Sequence, residues 1–395
     1  MTELSAAAAC ALARDVYQLV EAPRVEVALA RIKSLYDTFI EFGQDSVVPV
    51  KTGGPGIIKS RTAFGLCGLG KGIYQGHAFI VLRGTKYLAD WLTNLNVGVS
   101  RSSYGQSVHD GFHQAFKSTR QKIKPFIASL SSHGVHSVHC IGHSVGGGMA
   151  TMCAEYVKAS TTHSPYLYTF GAPRVGLQSF ADMLSSNIGP ERIYRVYHQT
   201  DIVPCVPFWP FVHAPTYLCD SYDYFQPSPG VFPNAKWHDI SLYVQTVGTQ
   251  KWTALRKKRN VCKDSSSVLN WLNKEGPVNF NAANLEWLDK AINYVLYRCL
   301  GGVGNTVTSA FSSTFTLMDQ LAYILKKGID LSKDISGLVL SLIRKIMKIL
   351  GMNSTIEKAD ATFAFIRSVF QKLAHRVSVY CQQVLDNVLV GGRNY

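Results

Sequence analysis

The stretch Ser137-Val138-His139-Cys140-Ile141-Gly142-His143-Ser144-Val145-Gly146-Gly147-Gly148-Met149-Ala150 decides how the rest of the chain is read. Its first part is short, apolar and bounded, as a buried strand is, and from Val145 onward the spacing is helical. Between the two, Gly142-His143-Ser144-Val145-Gly146 fits G-x-S-x-G. The pattern alone is a weak signal, because three fixed small residues recur by chance. Its setting strengthens it. A strand ending at Ile141 and a helix starting at Val145 put the serine on a sharp turn, with its hydroxyl exposed above the sheet. Glycines are expected on either side because side chains there would collide with the neighbouring strand and helix. The competing reading is a glycine-rich strand-to-helix turn carrying an incidental serine.

Outward from this turn, short apolar runs alternate with helical patterns. His77–Leu82, Ser137–Ile141, Leu167–Phe170 and Ile193–Tyr197 read as strands, while Val108–Leu130, Val145–Val157 and Leu177–Ser185 read as helices. Strands separated by helices of ten or more residues imply crossover units and a mostly parallel sheet, hence an α/β fold. Ahead of them, Ser5–Val20 and Val25–Phe42 read as two helices, and Thr52–Gly56 as a turn. Beyond about Gly248 strand patterns nearly vanish. A basic connector, Leu255–Arg259, leads into helical patterns from Val268 to Val390. We therefore divide the chain into an α/β part, residues 1–250, and a basic helical part, residues 251–395.

The 395 residues are 47% hydrophobic and 17% charged, which excludes disorder as a description of the whole chain. The formal net charge of +14 is unevenly spread. Residues 251–395 hold 20 Lys+Arg against 10 Asp+Glu, leaving only +4 for residues 1–250. The nine cysteines form no CxxC pair and read as buried reduced thiols. The N-terminus, with acidic Glu3 and an apolar run broken by Arg14 and Asp15, reads as a helix start and a poor secretory signal. No segment has 18 strongly apolar residues in succession, so no ordinary transmembrane helix is expected. His133, His136 and His139 make no metal spacing with a carboxylate, and no H-E-x-x-H occurs, so neither a metal nor another cofactor is expected.

The motif and its flanks resemble those of the class 3 lipases, a branch of the α/β-hydrolases. Gly142-His143-Ser144-Val145-Gly146-Gly147 resembles that family's serine elbow. Arg83-Gly84-Thr85 with Asp90-Trp91 is similar to its oxyanion strand end and lid, and Val108-His109-Asp110-Gly111-Phe112 to the helix start that follows. Tyr168-Thr169-Phe170-Gly171-Ala172-Pro173-Arg174-Val175-Gly176 and Asp201-Ile202-Val203-Pro204 resemble its next blocks, in the same order. The resemblance covers about residues 75–245; the helical C-terminal part lies outside it.

A serine nucleophile needs a base, and the base needs an orienter. The resemblance implies Ser144 as nucleophile, Asp201 as orienter and a later histidine as base, with the amides of Thr85 and Val145 forming the oxyanion hole. Within the stretch covered by the resemblance, two histidines follow Asp201. His238 opens an apolar helix five residues before Tyr243, which suits the family's catalytic histidine. His213, near the aspartate block, resembles a non-catalytic one. His143 reads as the elbow's variable residue, packed beneath the turn.

The resemblance implies an ester hydrolase acting on glycerolipids. Residues 85–106 stand where the family carries a lid, with apolar positions Leu88, Trp91, Leu92 and Leu95 at helical spacing; an ordinary surface helix is the competing reading. In Ile335–Leu350 a polar stripe of Asp334, Ser341, Arg344, Lys345 and Lys348 borders an apolar face. Such a helix can lie in an anionic membrane surface or pack in a bundle with one wet edge. The cationic tail favours membrane phospholipids as substrate and peripheral membrane association. The basic residues are not interleaved with aromatics, so nucleic acid is not expected as a partner. A bacterial lipase effector, cytoplasmic or exported without a signal peptide, would reconcile these features and would imply a secretion chaperone or an immunity protein as partner. The alternatives are a membrane-permeabilising protein acting through its C-terminal helices and a soluble short-chain esterase.

Overall fold

In the computed structural model the described residues are 2–43, 45–52, 60–84, 98–215, 224–230, 234–256, 265–301 and 317–391. A central sheet is built from β1 (Ile40–Glu41), β2 (Val47–Thr52), β3 (Ser60–Gly70), β4 (His77–Leu82), β7 (Ser137–His143), β8 (Ser164–Phe170), β9 (Ile193–His198) and β10 (Tyr224–Gln226), in the order β1-β3-β4-β7-β8-β9-β10 with β2 also paired to β3. Strands β4, β7, β8, β9 and β10 run parallel, while β3 is antiparallel to β4 and to β1 and β2. A separate hairpin joins β5 (Val99–Arg101) to β6 (Ser107–His109). The crossovers include α4 (Asp110–Ser129), α5 (Val145–Ser160) and α6 (Gln178–Ile188). The sheet is mostly parallel, as the alternation of strand and helix patterns requires, and the fold is α/β with a helical C-terminal part.

Period-two alternation along the strands splits the interior into two cores. Ala78, Ile80 and Leu82 of β4, Val138 and Cys140 of β7 and Leu167 of β8 point to one face, which is covered by α4, α5, α6 and the C-terminal helices. Phe79, Val81, Ile141, Tyr168, Phe170 and Val196 point to the other, under the N-terminal helices and the segment from 240 to 255. The second core is rich in tyrosine and tryptophan, whose polar tips need partners when buried. Tyr168 Oη accepts from the Leu4 amide at 2.9 Å, and Trp252 Nε1 donates to the Leu4 carbonyl at 2.8 Å. These two bonds pin the N-terminus across the sheet.

The edges of the sheet depart from expectation. The single helix expected over Ser5–Val20 is two: α1 (Ala6–Asp15), capped by Ser5, and α2 (Gln18–Glu21), with Tyr17 at the break. Helix α3 (Val25–Tyr36) stops short of Phe42, because Ile40 and Glu41 pair with β3. Glycines in β3 hide the strand pattern, yet they are what the packing demands. A Cβ on Gly68 would lie 2.7 Å from Ile40, and one on Gly65 would lie 2.4 Å from the Val81 carbonyl oxygen. The turn expected at Thr52–Gly56 lies outside the described residues from 53 onward.

Two helices follow the sheet, α7 (Ile240–Val247) and α8 (Trp252–Leu255), the latter packing Trp252 against Tyr194 in the second core at 4.4 Å between ring centroids. Helices α9 (Ser265–Asn273), α10 (Ala282–Cys299), α11 (Leu317–Leu331), α12 (Lys333–Ile349) and α13 (Phe363–Gly391) then form a bundle. Its apolar side merges with the first core into one continuous cluster. In α12, Val339, Leu342, Ile343 and Ile346 are fully buried. Lys345 Nζ donates to the Lys274 carbonyl, and an Arg344 Nη to the Ile356 carbonyl. In this structure α12 is a bundle helix, and two cations of its polar stripe serve the bundle's backbone. Among the described residues no helix is long and apolar enough to cross a membrane.

Candidate active site

Strand β7 ends at His143, and α5 begins at Val145. Ser144 between them has φ 55° and ψ −134°, the one positive φ among the described non-glycine residues. Such a conformation costs about 1–3 kcal/mol and persists only where the surroundings enforce it. The flanking glycines do the enforcing. A Cβ on Gly142 would lie 2.2 Å from the Gly146 carbonyl oxygen, and one on Gly146 would lie 2.3 Å from that of Leu82. The turn is thus wedged between its own helix and the end of β4, as the motif's spacing predicts. As the first residue of α5, Val145 carries an amide that the helix itself cannot use.

Ser144 Oγ lies 2.8 Å from His238 Nε2, and His238 Nδ1 lies 2.8 Å from Asp201 Oδ2. A carboxylate only accepts, so Nδ1 carries the imidazole proton and Nε2 is free to accept from the serine. Asp201 and His238 are each 1% exposed, so this chain of bonds runs through a medium where charge is poorly screened. Asp201 follows β9 at the carboxyl edge of the sheet. Its Oδ1 accepts from the Val203 amide at 2.9 Å, and its Oδ2 also accepts from Tyr243 Oη at 2.7 Å. Tyr243, on α7, is fully buried and in turn accepts from the His198 amide at 3.2 Å. Burial and the Asp201 charge push its phenol well above the usual range, so it remains a donor. Gly171 lets these groups meet: its φ is +55°, and a Cβ there would lie 2.7 Å from Asp201 Oδ2 and 2.9 Å from Tyr243 Oη.

The structure thus brings Ser144, Asp201 and His238 together and leaves His213 apart. His213 Nε2 donates to the Pro204 carbonyl at 2.7 Å, and burial together with the Arg195 and Arg174 charges holds it well below the usual imidazole range. Thr85 and residues 85–97 of the stretch expected to form a lid, 85–106, lie outside the described residues. His139 is stacked among Phe79, Tyr166 and Tyr168 and bonded to His77, a core histidine without a carboxylate. Among the described residues no group of three or more His, Cys, Asp or Glu could hold a metal ion. The seven described cysteines are free and buried.

Three contributors escaped the sequence reading. Tyr243 served there only as a spacing marker for His238, and the reason for the spacing is its bond to Asp201. His143 does more than pack: its Nε2 donates to the His238 carbonyl at 2.8 Å. The C-terminal bundle also takes part. Arg174 holds the loop after Asp201 through the Val206 carbonyl, to its amide, and the Phe211 carbonyl, to its guanidinium. The counterion of that buried guanidinium is Asp289 of α10. Trp209 Nε1 likewise donates to Asn293 Oδ1 of α10 at 3.0 Å. No local sequence signal links positions 115 residues apart.

A serine on a strained strand-to-helix elbow, with a histidine and a buried carboxylate in line behind it, is the arrangement that a serine hydrolase uses. Residues 79–211 match the family model described as Lipase (class 3). The chain is 35% identical over 132 residues to a secreted mono- and diacylglycerol lipase of Fusarium solani, covering 32% of this chain and 38% of that protein. It is also 35% identical over 105 residues to the toxin TseL of Vibrio cholerae, covering 26% of this chain and 15% of the toxin. A solved lipase of Yarrowia lipolytica aligns over 57% of this chain and 80% of its own at 21% identity, with a TM-score of 0.41. The chain thus spans well under half the length of these two sequence relatives.

Proposed function

We propose that this protein is a serine carboxylic-ester hydrolase acting on glycerolipids. The observation that carries the reading is the unbroken line from Ser144 Oγ through His238 to Asp201, set on a strained elbow. In the proposed reaction His238 Nε2 takes the serine proton as Oγ attacks the ester carbonyl. The Val145 amide, with that of Thr85 expected beside it, stabilises the oxyanion; losing one such donor costs about 3–4 kcal/mol of transition-state stabilisation. His238 then protonates the leaving alcohol, and a water activated by the same nitrogen releases the fatty acid. Asp201 fixes the imidazole tautomer and stabilises its cation throughout.

Membrane phospholipids are the substrate class we favour, supported by the cationic excess of residues 251–395 and by the toxin among the relatives. In this reading the protein meets an anionic membrane surface peripherally, whether it acts where it is made or after export. The alternative in which the C-terminal helices act on membranes by themselves requires the apolar face of α12 to leave the bundle.

The test compares wild type with Ser144→Ala on anionic phospholipid vesicles and on emulsified mono-, di- and triacylglycerols, with the products identified by mass spectrometry. Fatty acid and lysophospholipid released by wild type alone support the full proposal. Release from acylglycerols only would remove the phospholipid assignment. Leakage by Ser144→Ala without any acyl release by wild type would establish the non-enzymatic alternative. Hydrolysis of soluble short-chain esters with no gain on aggregated lipid would make the protein a simple esterase.

A further inference from the structure

Tyr17 sits in the break between α1 and α2, half-buried, and its hydroxyl reaches the centre of the site from the opposite end of the chain. Its Oη lies 3.1 Å from the Gly84 amide and 2.9 Å from His143 Nδ1. The direction of each bond can be fixed. The His238 carbonyl can only accept, so the His143 Nε2 that faces it carries the proton and Nδ1 is bare. Tyr17 therefore donates to His143 and accepts from Gly84, using both capacities of its hydroxyl. Burial keeps His143 neutral, as this arrangement needs, and raises the Tyr17 phenol to about 12.

The two ends of this chain of bonds matter for the proposed chemistry. Gly84 lies two residues past the end of β4 and immediately before Thr85, and a Cβ on it would lie 2.8 Å from Tyr17 Oη and 3.4 Å from Ser144 Cβ. The other end is the backbone of His238 itself. Rings stack along the same path: Tyr17 meets His143 edge-on at 5.9 Å, and His143 lies over His238 at 4.9 Å. One hydroxyl thus sets the separation between Gly84, the residue before Thr85, and His238, the residue proposed to move the proton. Displacements of about 1 Å between such groups can cost on the order of a hundredfold in rate.

We propose that Tyr17 is a positioning residue for the ester-hydrolysing site, holding Gly84 and His238 in register through His143. The inference rests on the serine hydrolase reading, and the following test separates the two. Tyr17→Phe keeps the ring and removes the hydroxyl. With a soluble p-nitrophenyl ester, kcat is expected to fall about 10- to 100-fold while KM stays within about twofold. The Ki of a boronic acid that mimics the tetrahedral intermediate should rise by the same factor as kcat/KM falls. His143→Phe should give a similar loss, and the double variant should lose no more than the worse single one, because both changes break one chain.

Rates are normalised to the fraction of protein labelled by a fluorophosphonate. An inactive, unlabelled wild type would defeat the hydrolase reading itself. An active wild type with Tyr17→Phe within twofold of it, or a loss that vanishes on normalisation, would overturn the role of Tyr17. Full additivity of Tyr17→Phe and His143→Phe would overturn it as well.

Discussion

Tyr243→Phe probes how the site holds its carboxylate. The substitution deletes one oxygen and leaves the ring in place against His198, 4.1 Å away between centroids, so apolar packing is preserved. Asp201 Oδ2 then keeps only its bond to His238 Nδ1, and the His198 amide loses its acceptor. A hydrogen bond to a charged group contributes about 1.5–3 kcal/mol, and an orphaned buried donor costs about 1–3 kcal/mol. Because the two losses share one hydroxyl, we expect a drop in unfolding free energy of about 2–4 kcal/mol.

The catalytic consequence follows from the geometry. With one donor fewer on Oδ2, the Asp201 carboxylate is freer to turn and holds the His238 imidazole less firmly in line with Ser144. If about 1 kcal/mol of transition-state stabilisation is lost with that orientation, kcat/KM falls about fivefold. Urea unfolding measures the first effect, and kcat/KM on a soluble ester measures the second. A kcat/KM within twofold of wild type, in a variant as stable as wild type, would refute the role given to Tyr243.

Further expectations concern the frame of the site. Asp289→Ala leaves the Arg174 guanidinium buried without its counterion; the expected loss is about 3–5 kcal/mol in denaturant unfolding, with partial recovery when Arg174→Met is added. His109 is buried, both its ring nitrogens lack partners, and burial lowers its pKa to about 4. Below the ordinary imidazole value near 6.5 the unfolded chain takes up a proton that the folded one refuses, so stability falls as the pH drops from about 6.5 to about 4. His109→Phe removes this contribution and should reduce the loss of stability between pH 7 and pH 5 by about 2 kcal/mol in urea titrations.

The cationic excess of residues 251–395 is what favours the membrane reading proposed above, yet the bundle turns two of its cations and the apolar face of α12 inward. Arg344 and Lys345 bind carbonyls, and the apolar residues of α12 are buried in the shared core. The tail is therefore tied to the hydrolase part by more than a linker. Through Asp289 and Asn293 of α10 it braces the loop that follows Asp201.

The sequence by itself determined the elements whose signals are local. The G-x-S-x-G turn between a strand and a helix located Ser144, and the alternation of apolar runs with helical patterns established a mostly parallel sheet. The order of the family blocks pointed to Asp201 and to His238 over His213. Glycine obscured β3 because its reason for being there, the close approach of the β4 backbone to Gly65 and of the Ile40 and Phe42 side chains to Gly68, exists only in the folded sheet. Tertiary structure alone decided which distant groups complete the site. Tyr17, Tyr243 and Asp289 each act through a side-chain contact with residues from 42 to 126 positions away. A hydrogen bond across the core leaves no period or spacing in a single chain, because its partners share a place in space and nothing in sequence.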